Sequence, residues 1–369
     1  MRDAGPALAV YAAIRLLGIA ALFLWAAVAD RDAHQLLAER WDALWYVRVV
    51  EHGYDFTLTA PDGRVLSDMA FFPLLPWLEE GISAGTPLSP ADAGLVVSAV
   101  ASLAAAWGIH RLVALLYGRR AGVLTVALYA ALPVGIVQSM AYSESLFTAL
   151  AAWSLYAVVR GHWLTAGLLA SLAGLTRPVG LAVAAAVWVG AYAALRRGTS
   201  ETPATPRWRP RTGALIAPLG AAGYVLWVGV REGDPVFGYL DVQGAWGNGF
   251  DGGLAFARFI GDLIATTPPA GLALAAGVAG LLWLYGRGVR QGQPAPLLVY
   301  CGIVTALALC SSGYFGSKPR LLMPAFPLLI PAALALARAR RPVVWTVIGV
   351  LAAGSAGYGA FWLHGSGPP

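Results

Sequence analysis

The chain has 369 residues, of which 58% are hydrophobic and only 12% are charged, and its formal net charge is +6. With a mean hydropathy of +0.66, this composition excludes a soluble globular protein, whose surface would need many more charged side chains. The arginines stand in short clusters between apolar runs and not along one stripe, which excludes nucleic acid as a partner.

Apolar runs bounded by charge, Pro or Gly predict transmembrane helices, because a helix needs about 17–25 apolar residues to cross a bilayer. The chain therefore reads as one polytopic domain, residues 1–369, with an all-α integral membrane fold. About eleven helices are predicted, over residues 7–29, 91–117, 121–138, 145–159, 163–176, 179–195, 213–230, 268–285, 295–310, 321–337 and 342–363. The break Thr176-Arg177-Pro178 separates the fifth from the sixth, or else kinks one longer helix and changes the count by one.

The arginine clusters predict the orientation, because basic loops stay in the cytoplasm. With a cytoplasmic N-terminus and an external C-terminus, the loops at 119–120, 160, 196–211, 287–290 and 338–341 all face the cytoplasm. The acidic first external loop is then 30–90, and a second external loop is 231–267. Lys318 and Arg320 fall outside against the rule, which makes them functional candidates. A single lysine with abundant Ala, Arg and Gly indicates a GC-rich bacterial genome, so we expect the protein in a bacterial plasma membrane.

A short amphipathic helix is predicted in the first external loop, from about residue 40 to residue 54. Its apolar side is formed by Trp41, Leu44, Trp45 and Val49, at helical spacing. Asp42 shares a face with Trp45 and Tyr46, so its carboxylate would be partly desolvated and suited to act as a base. The alternative is an aromatic belt with an incidental charge. A second interfacial segment is predicted from Ser67 to Leu78.

Several motifs of the chain occur together in one known family. They are Trp-Asp-x-x-Trp-Tyr from Trp41 followed by Gly53-Tyr54, Ala-Phe-Phe-Pro-Leu-x-Pro from Ala70, Tyr142-Ser-Glu-Ser-Leu-Phe, Gly174-Leu-Thr-Arg-Pro-Val-Gly and Lys318-Pro-Arg-Leu-Leu-Met-Pro. In this set the chain resembles the PIG-V-type mannosyltransferases over about residues 41–327. That family belongs to the GT-C class of multispanning glycosyltransferases, which use lipid-phosphate sugars.

The resemblance implies transfer of mannose from polyprenyl-phosphate-mannose to an acceptor hydroxyl on the non-cytoplasmic face, with inversion. We assign Asp42 as the general base and Asp68 and Glu144 as further acidic site residues. Cations would stabilise the phosphate leaving group. The substrate-binding candidates are Trp41, Trp45, Tyr46, His52, Arg177, Lys318 and Arg320. The lipid chain is expected in a groove between helices that approach each other at Gly167, Gly174, Gly220 and Gly223.

Each candidate has a structural alternative. Glu144 can cap a helix N-terminus, Arg177 can reach for the membrane surface, and His52 can pair with Glu51. No cofactor is expected, because a lipid-phosphate donor lacks the nucleotide diphosphate that makes a metal useful. A divalent metal at Asp30 and Asp32 is the alternative.

The expected partners are a lipid-phosphate sugar, membrane lipids and an acceptor that is a glycan, a lipid or a protein. Two other functions stay open: a transporter or flippase, and a non-catalytic subunit. A transporter would carry ionisable groups at mid-membrane and a repeat, whereas the spans here are almost free of charge. The sequence leaves open whether mannose or another hexose is moved.

Overall fold

The computed structural model of the protein describes residues 4–196 and 206–367, which form helices and one small β-hairpin. The helices of the first half are α1 (Gly5–Val28), α2 (Ala33–Ala38), α3 (Asp42–His52), α4 (Leu74–Gly85), α5 (Pro90–Tyr117), α6 (Arg119–Ala130), α7 (Ser143–Arg160), α8 (Trp163–Gly174) and α9 (Leu181–Arg196). Strands β1 (Thr57–Thr59) and β2 (Val65–Ser67) pair antiparallel between α3 and α4.

The second half is also helical. Its helices are α10 (Trp208–Ile216), α11 (Leu219–Arg231), α12 (Gly238–Ala245), α13 (Leu254–Thr266), α14 (Pro268–Arg290), α15 (Ala295–Cys310), α16 (Lys318–Leu322), α17 (Ile330–Arg338) and α18 (Arg341–His364). Short 3-10 helices lie at Asp68–Ala70, Gly135–Ser139, Pro178–Gly180, Phe315–Ser317 and Phe326–Leu329. Most of the predicted cytoplasmic loop 196–211 lies outside the described residues.

Six of these helical segments are long and apolar enough to cross a membrane. They are Gly5–Val28, Pro90–Tyr117, Pro178–Arg196, Trp208–Arg231, Pro268–Arg290 and Arg341–His364. A seventh candidate is the pair Phe315–Leu322 and Phe326–Arg338, which is bent by 76°. The all-α membrane fold is therefore confirmed, and the count of eleven spans stays a prediction. The Thr176-Arg177-Pro178 break does separate two helices, α8 and α9.

The predicted span 121–138 is not one continuous helix. Its helix, α6, ends at Ala130, and Pro133 prevents a regular continuation because it lacks a backbone N–H. The irregular backbone that follows lies against α18, where the Ser355 hydroxyl donates to the carbonyl of Leu132 at 2.6 Å. Such backbone is tolerated in a membrane protein only where protein groups satisfy it, as they do here.

Both predicted external loops lie at the same end of the bundle and fold against each other. The Trp246 indole N–H donates to the carbonyl of Ser67 at 3.0 Å, and the Gln243 amide donates to the carbonyl of Ala70 at 3.2 Å. At the basic end of α6, Arg120 donates to the carbonyl of Ala339 at 2.9 Å. The structure thus groups these loops as the charge pattern predicts, whereas the side of the membrane that each end faces stays a prediction.

Close helix packing around α8 depends on glycine. A Cβ at Gly167 would collide with Gly213, one at Gly174 with Ala221, and one at Gly220 with the carbonyl of Ser171. These three glycines hold α10 and α11 directly against α8, so this contact leaves no groove for a lipid chain. Gly223 differs from them, because a Cβ added there would meet no atom within 4 Å.

We predict that Gly220→Val destabilises the protein, because an added side chain must displace the backbone of α8; overpacking of this kind costs about 1–3 kcal/mol. The matched control is Gly223→Val, on the same helix but facing open space. Thermal unfolding in detergent, followed by intrinsic fluorescence, should give a lower midpoint for the first variant only. Equal midpoints for the two variants would contradict the packing described for α8 and α11.

Candidate functional site

Asp42 begins helix α3 and faces the bundle. Its carboxylate lies 2.6 Å from the Arg320 guanidinium, and its backbone N–H donates to the Tyr142 hydroxyl at 3.3 Å. The side chain is 22% exposed, so a substrate can reach it. It stands in the first turn of the helix, where the free backbone N–H groups carry partial positive charge.

Glu144 occupies the equivalent place on α7, in the first turn, and its side chain is only 1% exposed. It pairs with the Arg177 guanidinium, and the Nε of Arg320 lies 3.4 Å from the same carboxylate oxygen. The other oxygen, Oε2, has no hydrogen-bond partner within the part of the chain that the structure describes. Arg320 therefore lies between two carboxylates, Asp42 and Glu144, that come from different helices.

The two arginines reach the site because the helices that carry them are interrupted there. Arg177 is in extended backbone directly before Pro178, where a helical conformation is disfavoured, between α8 and α9. Arg320 lies on the five-residue helix α16, in the bent candidate span. Both side chains are largely buried, at 14% and 9% exposed. Burial of four charges is unfavourable unless they are paired, so their neutral arrangement is a requirement of the fold.

Three hydroxyl groups border the charged cluster. The Tyr46 hydroxyl, one turn along α3 from Asp42, donates to the Ser143 hydroxyl at 2.9 Å. Arg177 donates to the same Ser143 oxygen at 3.3 Å. Burial raises the pKa of Tyr46, so the phenol stays protonated and acts as a hydrogen-bond donor. Ser143 and Tyr142 were not among the predicted site residues, although both stand beside Glu144 in a motif.

An aromatic cluster adjoins the charges on the side of the two loops. The Trp45 ring stacks on Phe71, with centroids 5.5 Å apart, and meets Trp246 edge-on at 4.8 Å. Phe71 also contacts Tyr46, at 5.4 Å, which joins the cluster to the charged groups. Phe71 and Trp246 were not predicted as site residues. Their signal in the sequence was an aromatic residue in each external loop, without any indication that the two meet.

Asp68 is buried and, among the described residues, forms no ion pair with the four charges. One carboxylate oxygen accepts from the Phe56 N–H at 3.1 Å, and the other has no partner among the described residues. Burial raises its pKa. Glu79, on α4, is also buried, with its carboxylate against Gly94, and burial raises its pKa to about 8. Glu79 is therefore neutral at pH 7 and does not add charge to the site.

The remaining candidates have other surroundings. The Lys318 ammonium donates to the carbonyls of Ala308 and Ser311, each at 2.8 Å, and so caps the end of α15. His52 ends α3 and is exposed, with its ring 3.9 Å from Glu51. Trp41 directly precedes α3. The structure thus brings together Asp42, Tyr46, Glu144, Arg177 and Arg320, places Trp45 beside them, and places Lys318, His52 and Asp68 elsewhere.

A metal centre is not apparent in the described parts of the chain. Within residues 4–196 and 206–367, no group of three or more His, Cys, Asp or Glu side chains is placed to hold an ion. Asp32 accepts from backbone N–H groups at the start of α2, at 2.8 Å for His34. Independence from metal stays a prediction.

Comparison with known proteins identifies the fold. Residues 73–227, less than half of the chain, match the family model described as dolichyl-phosphate-mannose-protein mannosyltransferase. ArnT from Cupriavidus metallidurans, bound to undecaprenyl phosphate, is similar with a TM-score of 0.56 and 17% identity over 94% of this chain and 62% of that one. The archaeal oligosaccharyltransferase AglB from Archaeoglobus fulgidus, in complex with an inhibitory peptide and a dolichol-phosphate, is also similar. Its TM-score is 0.54 and its identity 14%, over 98% of this chain and 56% of that one.

The chain thus has the GT-C fold that the resemblance implied, and it spans about three fifths of the length of these two proteins. No curated protein sequence matches it. At this level of identity the likeness concerns the fold.

We predict that Arg320→Met lowers the free energy of unfolding by roughly 3–5 kcal/mol, because it leaves buried carboxylates without a counter-charge. Asp42→Asn together with Arg320→Met should cost less than the sum of the single changes, because the pair is removed together. Chemical or thermal unfolding in detergent gives the four values of this cycle. Additive losses would contradict direct coupling between Asp42 and Arg320.

Proposed function

We propose that this protein is a PIG-V-type membrane glycosyltransferase that transfers mannose from a polyprenyl-phosphate donor to an acceptor hydroxyl. The observation that carries the proposal is the buried cluster in which Arg320 lies between Asp42 and Glu144, at the polar end of a GT-C bundle. The family-model match and the lipid phosphates named for ArnT and AglB support a lipid-phosphate donor. The GT-C fold favours this enzyme over the transporter alternative.

In the proposed reaction the acceptor oxygen attacks the anomeric carbon of the donor as Asp42 takes its proton. The bond between that carbon and the phosphate oxygen breaks, and the electron pair leaves with the polyprenyl phosphate. The phosphate gains one negative charge and Asp42 loses one on protonation. Attack from the face opposite the leaving group gives inversion. The predicted orientation places this reaction on the non-cytoplasmic face of a bacterial plasma membrane.

Arg320 connects these two charge changes. Without substrate its guanidinium neutralises Asp42, at 2.6 Å. A donor phosphate beside Arg320 and Arg177 would compete for the same N–H groups and release Asp42 to act as a base. As Asp42 becomes neutral, the growing charge on the phosphate becomes the better partner for Arg320. Glu144 holds both arginines throughout, because it contacts each of them.

The other substrate contacts that we propose are aromatic. Trp45 lies one turn from Asp42 and forms, with Phe71 and Trp246, a ring cluster suited to the apolar faces of a sugar. Tyr46 would orient the reacting groups through Ser143. Trp41, His52 and Asp68 are retained as weaker candidates. Lys318 would have to give up its bonds at the end of α15 to reach a phosphate, so we place Arg320 before it.

An apolar groove adjoins the charged cluster and fits the isoprenoid chain of the donor. It has a volume of about 380 Å³ and lies between α4, α5, α7 and α8, with Ile82, Val100, Leu146 and Trp153 in its walls. Leu146 is two residues from Glu144 and packs with Tyr46 and Val97, so the groove begins at the site. A lipid whose phosphate meets the arginines can therefore extend along it.

Asp42→Asn should abolish transfer, with a loss of roughly 10²–10⁴-fold in turnover, because no other group replaces the base. The protein is reconstituted in liposomes with a panel of radiolabelled polyprenyl-phosphate sugars and membrane lipid extract, and products are identified by mass. Asp55→Asn is the matched control: Asp55 is 75% exposed, lies in the same loop and pairs with Arg231.

Normal turnover of the Asp42→Asn variant would remove Asp42 as the base. Transfer of another sugar from the panel would replace mannose but keep the reaction class. No transfer from any donor by the wild-type protein, with an acceptor-rich extract, would contradict the proposed function.

Val100→Trp should raise the KM for a long-chain donor by roughly tenfold, which corresponds to about 1.4 kcal/mol of lost apolar contact. The new ring would fill the groove, and Val100 is 63% exposed, so the fold can accept it. A donor with one or two isoprene units should be used normally. Leu103→Trp, also exposed on α5 but outside the groove, is the control. An equal effect on short and long donors would contradict this placement of the chain.

A further inference from the structure

The backbone directly before Asp42 has an unusual conformation. Trp41 has φ 50° and ψ −117°, whereas residues other than glycine seldom adopt positive φ. Asp30 is the one other non-glycine residue with positive φ among the described residues. A bulky side chain in this conformation is strained and persists only where its surroundings hold it.

Arg40 supplies that restraint from the preceding position. Its guanidinium carbon lies 4.1 Å from the centre of the Trp41 ring, within reach of a cation–π interaction. The same group donates to the carbonyl of Leu363 and, at 2.9 Å, to the carbonyl of Gly365. These carbonyls end α18, where free acceptors carry partial negative charge, and the planar guanidinium can bind two of them at once.

The end of α18 is itself a fixed partner. The His364 ring stacks on Trp25 of α1 at 5.6 Å, and Phe361 meets the same indole at 6.2 Å. Leu363 is fully buried. Arg40 therefore ties the start of α3 to the end of α18, which is itself packed on α1.

The other side of Trp41 leads straight into the candidate site. The N–H of Ala43 donates to the carbonyl of Arg40 at 3.2 Å, and the N–H of Asp42 donates to Tyr142. One strained residue thus separates an anchor on α18 from a carboxylate that must stay within reach of Arg320. A rotation about the Trp41 backbone would move Asp42 and leave the bundle intact.

We infer that Arg40 is a positioning residue, which holds Trp41 in its strained conformation and thereby fixes the Asp42 carboxylate beside Arg320. The catalytic part of this inference rests on the proposed function. Its geometric part, the distance between residue 42 and Arg320, does not. Arg40 touches neither the acidic groups nor the arginines of the site in the described contacts, so its effect on Asp42 is indirect and passes mainly through Trp41.

The kinetic test is a cycle of Arg40→Met and Trp41→Gly. Arg40→Met should lower kcat by about 10²-fold with an unchanged donor KM, because a base displaced by about 1 Å loses that much rate. In the Trp41→Gly background, where glycine adopts positive φ without strain, the same change should cost little. Arg40→Lys should recover part of the loss. Arg111→Met, which removes an arginine that contacts only Tyr156 in the described structure, is the control and should leave kcat unchanged.

A second readout does not need activity. In a background without Cys301 and Cys310, Asp42→Cys introduces a thiol beside Arg320, whose cation should lower the thiol pKa below about 8.5. The pH profile of alkylation measures that pKa. Arg40→Met should raise it towards the ordinary value, and Arg111→Met should not.

An unchanged alkylation profile after Arg40→Met would overturn the inference, as would an equal loss of kcat in both Trp41 backgrounds. A lower thermal midpoint with unchanged kcat would show a purely structural role. If Arg40→Met does not fold, Arg40→Lys replaces it in the alkylation assay, and a thiol pKa equal to that of the Asp42→Cys parent would overturn the inference. A shifted alkylation profile, combined with a wild-type protein that transfers no sugar from any donor, would refute the proposed function and keep the positioning role.

Discussion

Arg320, held between Asp42 and Glu144, is the interaction on which the rest of the site depends. A guanidinium that is 9% exposed gains from pairing, because desolvation of a lone charge is costly in free energy. The pairing brings α3, α7 and the bent segment around α16 to one point. It also requires that the helices stop there, since a continuous helix would satisfy its own backbone and carry its side chains past the cluster.

The four charges sum to zero without substrate. This balance explains how one site could both deprotonate the acceptor and stabilise the phosphate leaving group. A carboxylate that is neutralised by a guanidinium is a weak base. An incoming phosphate competes for that guanidinium, so donor binding and release of the base would be one event. Without substrate the cluster has no net charge, which lowers the cost of placing it at the polar end of an apolar bundle.

Two different surroundings adjoin the cluster, one formed by the external loops and one by the helices. Towards the two loops lie the rings of Trp45, Phe71 and Trp246, which present apolar faces with polar edges. On another side lies the groove of α4, α5, α7 and α8, whose walls are entirely apolar or aromatic side chains. A reaction that joins a water-soluble hydroxyl to a lipid-borne sugar needs both environments within a few ångströms of the same carboxylate.

The sequence by itself determined the class of fold and the elements that carry the site. Hydropathy separates lipid-facing helices from polar loops because burial in lipid depends on composition alone, and the arginine clusters grouped the loops by end. Local motifs identified the segments that carry Trp41 and Asp42, Glu144, Arg177 and Arg320. Pro133 is also present in the predicted span 121–138, but the sequence did not predict that α6 ends at Ala130.

Only the tertiary structure decided which of these groups meet. Arg320 reaches Asp42 across 278 residues, whereas Lys318, two residues earlier, turns to the end of α15. Arg40 reaches the end of α18 in the same way, and Phe71 meets Trp246 across the two loops. Local patterns record which side chains prefer water, lipid or a helix end. Which cation pairs with which carboxylate depends on helix packing, because the energy of a buried charge is set by neighbours that are distant in the chain.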